Sequence, residues 1–239
     1  MTKATGSKSN RLNTQCNPKT FNRPFEVKDC ALITRMAGVD TAINLRELRE
    51  RLRICPLECL FHHFCETAIR PGFDDPEFRN DFAVWAARQL RDRMLAEKLG
   101  IINPYLFKDL EDLRQTVVDL IDEHAAELPN IPWVKKGNDF RFMRAVTVVF
   151  DTRLSLANPG ELIDAIKEMN SSSLYYHYVD ARRRNDEKID DFTIWLRTFG
   201  PGNEHLMEAL ANVDFYFMNL AELKRQLIKS LEAAQGRHR

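Results

Sequence analysis

Cys55–Trp85, CPLECLFHHFCETAIRPGFDDPEFRNDFAVW, returns later in the chain in altered form as Ser171–Trp195, SSSLYYHYVDARRRNDEKIDDFTIW. Laying one on the other places His63 on His177, Glu66 on Asp180, Asp81 on Asp191 and Trp85 on Trp195. The flanks repeat as well. FEVKDCALIT (Phe25–Thr34) has apolar residues alternating with charged ones, the period of a half-buried strand, and FRFMRAVTVVF (Phe140–Phe150) has the same character. Asn44 and Glu47 form a variant capping box that opens a helix, and Asn158, Pro159 and Glu161 repeat it with proline at the first helical position. Leu162 and Ile166 fall where Leu48 and Leu52 did, and LMEAL (Leu206–Leu210) echoes LAEKL (Leu95–Leu99). Leu220, Leu223, Leu227 and Leu231 echo Leu110, Leu113, Val117 and Ile121.

Equivalent positions lie roughly 110–115 residues apart, far beyond solenoid periods, so the pattern predicts a duplicated domain rather than a repeat array. The expected fold is mainly α (α+β), each half one strand followed by four or five helices. Residues 24–128 make the first repeat and 129–239 the second, packed as one unit after a polar, acid-free tail over 1–23. In the first half, helices are expected from Asn44, from Pro56 to an Arg70-Pro71-Gly72 stop, from Asn80-Asp81, over Met94–Leu99 and over Asp109–Glu127. A lone strand leaves its amides unpaired, so the economical solution pairs Phe25–Thr34 with Phe140–Val149 across a pseudo-twofold axis.

Equal counts of Lys+Arg and Asp+Glu, 35 each, argue against a broad nucleic-acid surface. A 44% hydrophobic fraction suffices for a core. No apolar run approaches the ~18 residues of a membrane span, and MTKATGSKSN lacks the apolar core of a secretory signal. Five cysteines (Cys16, Cys30, Cys55, Cys59, Cys65) at irregular spacing do not resemble a disulfide framework. A cytoplasmic protein with reduced thiols is expected.

With both copies aligned, the chain resembles an uncharacterised prokaryotic, tandem-duplicated helical family catalogued only as a domain of unknown function. The resemblance covers nearly everything after Phe25. It rests on Ala42-x-Asn44-Leu45-x-Glu47-Leu48, the His63 helix, Asn80-Asp81-Phe82-Ala83-x-Trp85, Ser173-Leu174-Tyr175-Tyr176-His177 and Asp191-Phe192-x-x-Trp195. Asp190 departs from the family's pattern, which has asparagine there. The resemblance implies a fold and no activity.

The site hypothesis uses the repeated polar residues. His63 and Glu66 are three apart on a helix, His177 and Asp180 repeat that geometry, and Asp81 and Asp191 arrive from the following helix. Brought together at the junction, two imidazoles and four carboxylates could bind divalent metal. A ring separation within about 10 Å would make such a shared site credible. The simpler reading is that Asp81 and Asp191 cap helix starts or bridge to a histidine. Trp85 and Trp195, one turn after those aspartates, could stack on a sugar, though core anchoring is the commoner use. Cys55, Cys59, His62, His63 and Cys65 form a second cluster, but the spacing matches no zinc pattern and the second copy lacks the ligands. Tyr175, Tyr176 and Tyr178 read as packing, and Arg182-Arg183-Arg184-Asn185 as a solvated loop or an anion contact. No phosphate-cradling glycine loop, Gly-x-Ser-x-Gly or His-Glu-x-x-His is present. The sequence thus points to a non-enzymatic module binding a protein or small polar ligand, with no cofactor, nucleic acid or membrane. The alternative is a metal-dependent enzyme with a His/carboxylate site at the junction.

Overall fold

A computed structural model of the 239-residue chain describes residues 23–69 and 77–237. The polar segment before residue 23 and the Arg70-Pro71-Gly72 helix stop lie outside the described residues. The architecture is mainly helical around one long antiparallel ribbon. Strand β1 (Phe25–Met36) is followed by helices α1 (Leu45–Ile54), α2 (Leu57–Cys65), α3 (Asp81–Trp85), α4 (Arg93–Gly100) and α5 (Leu110–Glu127). Strand β2 (Met143–Leu156) is followed by α6 (Leu162–Glu168), α7 (Ser171–Leu174), α8 (Ala181–Arg184), α9 (Asp191–Arg197), α10 (Glu204–Ala211) and α11 (Leu220–Arg237). Wider π turns extend α3 over Ala86–Leu90 and join α7 to α8 over Tyr175–Asp180.

The two strands pair as expected, from Phe25 opposite Leu156 to Met36 opposite Met143. Both run longer than the sequence pattern suggests, and β2 begins later: Phe140 pairs with Ala42 in an isolated bridge outside the ladder. A bulge after Val27 accommodates the extension. Lys28 faces Asp151 and Val27 faces Leu154, leaving Thr152 and Arg153 as extra residues on β2. The Thr152 hydroxyl donates to the Val27 carbonyl, and Arg153 takes up the turn at φ 62°.

Each strand serves the opposite half. Phe25, Val27 and Cys30 belong to the core built from residues after Leu156. Phe140 and Phe142 complete the core of the first half, alongside Leu45, Leu48, Leu52, Phe64, Phe82 and Leu113. Helix α2 lies along β2, while α7 lies along β1. Each half therefore closes its core with side chains from the other half's ribbon segment, Phe25, Val27 and Cys30 of β1 in one direction and Phe140 and Phe142 just before β2 in the other, at roughly 25 cal/mol per Å² of apolar surface removed from water.

Local sequence explains the helix starts. Asn44 accepts from the Glu47 amide while Glu47 reaches back to the Ile43 amide. In the second half Glu161 reaches back to Ala157 and accepts from the Asn158 side chain. Asp109 caps the long α5 through the amides of Glu111 and Asp112. The outer side of the ribbon stays wet, with Ile33, Val146 and Phe150 at least half exposed. No helix among the described residues is long and apolar enough to cross a membrane.

Candidate functional site

Helix α2 is hydrophobic nearly all round, LECLFHHFC, so it is buried on most of its circumference and carries two histidines into the interior. His63 Nδ1 lies 2.5 Å from Asp81 Oδ2, and the backbone N–H of Met143 donates to His63 Nε2 at 2.9 Å. A backbone amide can only donate, so Nε2 must hold the lone pair and Nδ1 the proton. The ring packs between Phe82 and Phe140. Asp81 does not cap its helix: Asn80 does, accepting from the Ala83 amide at 2.9 Å. The Asp81 carboxylate is thereby left to hold the imidazole.

The second half repeats every part. His177 Nδ1 lies 2.8 Å from Asp191 Oδ2, and the Lys28 N–H donates to His177 Nε2 at 2.8 Å. The ring packs against Phe25 and Phe192. Asp190 is the cap, accepting from the Thr193 amide and hydroxyl, where Asn80 stood in the first half. Burial raises the Asp190 carboxyl above its ordinary value, against the pull of Arg182. The tryptophans complete the pattern. The Trp85 indole donates to the Asn138 carbonyl and the Trp195 indole to the Arg23 carbonyl, just before the respective strands. Both tryptophans are buried, so neither offers a platform for a sugar.

These two constellations are far apart. Lys28 sits opposite Asp151, eight residues along β2 from Met143, so at ~3.4 Å per residue the two histidine contacts are about 27 Å apart on the ribbon. A site shared by His63 and His177 does not form. Among the described residues no three His, Cys, Asp or Glu side chains converge in a way that could hold a metal ion.

Glu66 and Asp180 behave differently from their histidine neighbours. Glu66 accepts from His62, 2.6 Å away and four residues back, rather than from His63. Asp180 is gripped by Arg183 through Nε and Nη2 and by Arg184 through Nε. The two carboxylates approach the same buried residue at the junction. The Tyr175 hydroxyl has no hydrogen-bond partner among the described residues, and burial first, then the charges of Glu66 and Asp180, push it well above the ordinary phenol value.

The arginine run is held by specific contacts, although Arg183 and Arg184 stay exposed. Arg182 stacks on Tyr178 and Phe215 and donates to the Tyr178 carbonyl. Arg184 stacks on Tyr176 and donates to Asp191, adding a third member to the His177 pair. Cys55 and Cys59 are buried free thiols, as are Cys30 and Cys65. The Cys55 thiol points at the Leu52 carbonyl.

An opening that the sequence did not announce lies between the halves. A groove of about 510 Å³ is walled by Leu57, Phe61 and Cys65 of α2, by Tyr105 and Phe107–Leu110, and by Arg182, Arg183 and Lys188 of the second half. Lys188 crosses the boundary, its ammonium donating to the Phe107 and Lys108 carbonyls. The sequence offered one hint, the arginines; the aromatic floor comes from segments far apart in the chain.

Residues 22–232 match the model of a family of unknown function, DUF5752, and the chain belongs to that family. It is also similar to a solved structure described as that of OrfY from Thermoproteus tenax, with 25% identity, 90% of this chain and 96% of that chain covered, and a TM-score of 0.72. Among curated proteins none matches.

Proposed function

We propose that the chain is a non-enzymatic binding protein, made of two copies of one strand-plus-helices module, and that it takes a small ligand in the groove at their junction. The observation that carries this reading is the full engagement of both histidines. Each has one ring nitrogen on a carboxylate and the other on a backbone amide. Neither retains a lone pair for metal or for proton transfer unless a strand is unpinned. The groove, by contrast, is open, apolar at its floor, and of the size small-molecule sites occupy. Buried free thiols fit a reducing, cytoplasmic setting. Thermal denaturation across a ligand library tests the reading: a ligand of the groove raises the melting temperature, and Leu57→Trp, which fills the groove, abolishes that rise. Stoichiometric metal in protein purified without a histidine tag, lost in His63→Ala and His177→Ala, would instead favour a metal-dependent enzyme.

A protein partner is the second reading, favoured by the exposed apolar outer side of the ribbon at Ile33, Val146 and Phe150. Light scattering of the wild type and of Ile33→Lys tests it. A complex that survives the substitution counts against that surface.

A further inference from the structure

The groove's chemistry narrows what it would hold, an inference that rests on its being a ligand site. Its floor is aromatic and aliphatic: Leu57 and Phe61 from α2, with Phe107 and Leu110 opposite. Its rim is cationic, although the chain as a whole has no net charge. Lys108 stands exposed at one lip. At the other lip Arg183 lays its guanidinium 4.8 Å over the Phe61 ring and uses Nε and Nη2 on Asp180, which leaves Nη1 to face a ligand. Lys188 adds a third positive charge while tying the lips together.

The acids nearby offset this field only in part. Asp109 is turned back onto the amides of Glu111 and Asp112, which hold its carboxyl below the ordinary range. Asp186 lies exposed in the loop between the arginines and Lys188. Tyr105 also lines the groove. Its hydroxyl is buried beside the Cys65 thiol, so the ring and not the hydroxyl contributes to the wall. An apolar floor with a basic rim is complementary to an amphipathic anion.

We propose that the groove binds a small molecule with a flat apolar body and a single anionic group, the body lying on Phe61 and Leu57 and the anion meeting Arg183 and Lys108. The geometry makes the two ends separable. The body is held by the surface it covers, and the anion by two charges on opposite lips.

Two fluorescent probes isolate the ends: 8-anilinonaphthalene-1-sulfonate, and N-phenyl-1-naphthylamine, which has the same rings without the sulfonate. On the full chain the sulfonate probe is expected to bind at one site per chain, with affinity that falls as salt rises. The neutral probe should bind at least about tenfold more weakly, the worth of one good charge-assisted contact. Lys108→Glu, on the surface and away from the core, should weaken the sulfonate probe by a similar factor and leave the neutral probe unchanged. Leu57→Trp should remove both. Equal binding of the two probes, both lost in Leu57→Trp, overturns the anionic class while leaving the groove a ligand site. Sulfonate binding that ignores both Leu57→Trp and Lys108→Glu overturns the class and the groove together.

Discussion

Replacing His63 by alanine removes a pin between helix and strand, and the cost can be assembled from its contacts. The Met143 amide loses the acceptor at 2.9 Å and Asp81 loses the ring nitrogen at 2.5 Å. A partly buried amide left without an acceptor costs about 1–3 kcal/mol. The imidazole also fills space between Phe82 and Phe140, and losing such a ring contact costs about 0.5–1.5 kcal/mol more. The expected destabilisation is about 2–4 kcal/mol, which for a chain of this size lowers the melting temperature by about 4–16 °C. Urea unfolding followed by tryptophan fluorescence measures it, because Trp85 and Trp195 are buried, one in each half, while Trp133 is exposed already in the folded chain. His63→Gln, whose amide oxygen can still reach toward Met143, should recover part of the loss; His63→Asn, a carbon shorter, should not. Hydrogen exchange localises the effect: the Met143 amide should speed up far more in His63→Ala than the Lys28 amide, and the reverse should hold in His177→Ala. A cost under about 0.5 kcal/mol in His63→Ala, or equal acceleration of both amides, would refute the pin.

Other outcomes follow from the same geometry. Nitrogen-15 spectra of labelled histidine should show the neutral Nδ1–H form at both His63 and His177, since a backbone amide donates to each Nε2; an Nε2–H form at either would contradict the assigned bonds. Asp190→Asn should change stability by less than about 1 kcal/mol, because Asn80 does the same capping work and burial already opposes the charge at Asp190; chemical denaturation decides it. Cys30 titrates at about 12 in the folded chain against a reference of 9.0, burial being the main cause. A raised thiol value means that the unfolded chain releases the proton first, so stability is present below pH 9 and declines from there toward 12. Cys30→Ala should flatten that alkaline decline, and native Cys30 should resist iodoacetamide at pH 8 until the protein is unfolded.

Much of the framework could be read from residues alone. The alternation in Phe25–Thr34 and Phe140–Val149 marked two strands that needed each other, and they do pair. The link from His63 to Asp81 was visible as a polar pair present in both halves, although eighteen residues separate its members in the first and fourteen in the second. What alternation cannot say is which helices cover a strand, so the exchange of β1 and β2 between halves was not legible. The π turns after α3 and α7 were hidden for a related reason: one wide turn moves every later side chain around the axis without changing composition. The three-apart spacing puts Glu66 on the face of His63, yet the four-apart partner His62 takes it. Asp81 and Asp191 at helix starts suit either a cap or a bridge to a histidine; the residue before each does the capping and the aspartates make the bridge. The Arg182–Arg184 run reads as a solvated loop or an anion contact, and Arg183 and Arg184 are indeed exposed; what a one-dimensional pattern does not show is Tyr178, Tyr176 and Phe61 beneath the guanidinium groups. The groove joins α2, the segment before α5 and the loop after α8, and only folding brings them together.

Dividing the chain between Asn130 and Ile131 tests most directly the exchange of strands on which the account depends. Each piece then keeps its helices but loses the apolar residues that close its core, Phe140 and Phe142 for the first and Phe25 and Val27 for the second. Calorimetry should find no cooperative transition in either piece alone and a single one in their equimolar mixture. Two pieces that each melt cooperatively in isolation, unchanged on mixing, would contradict it.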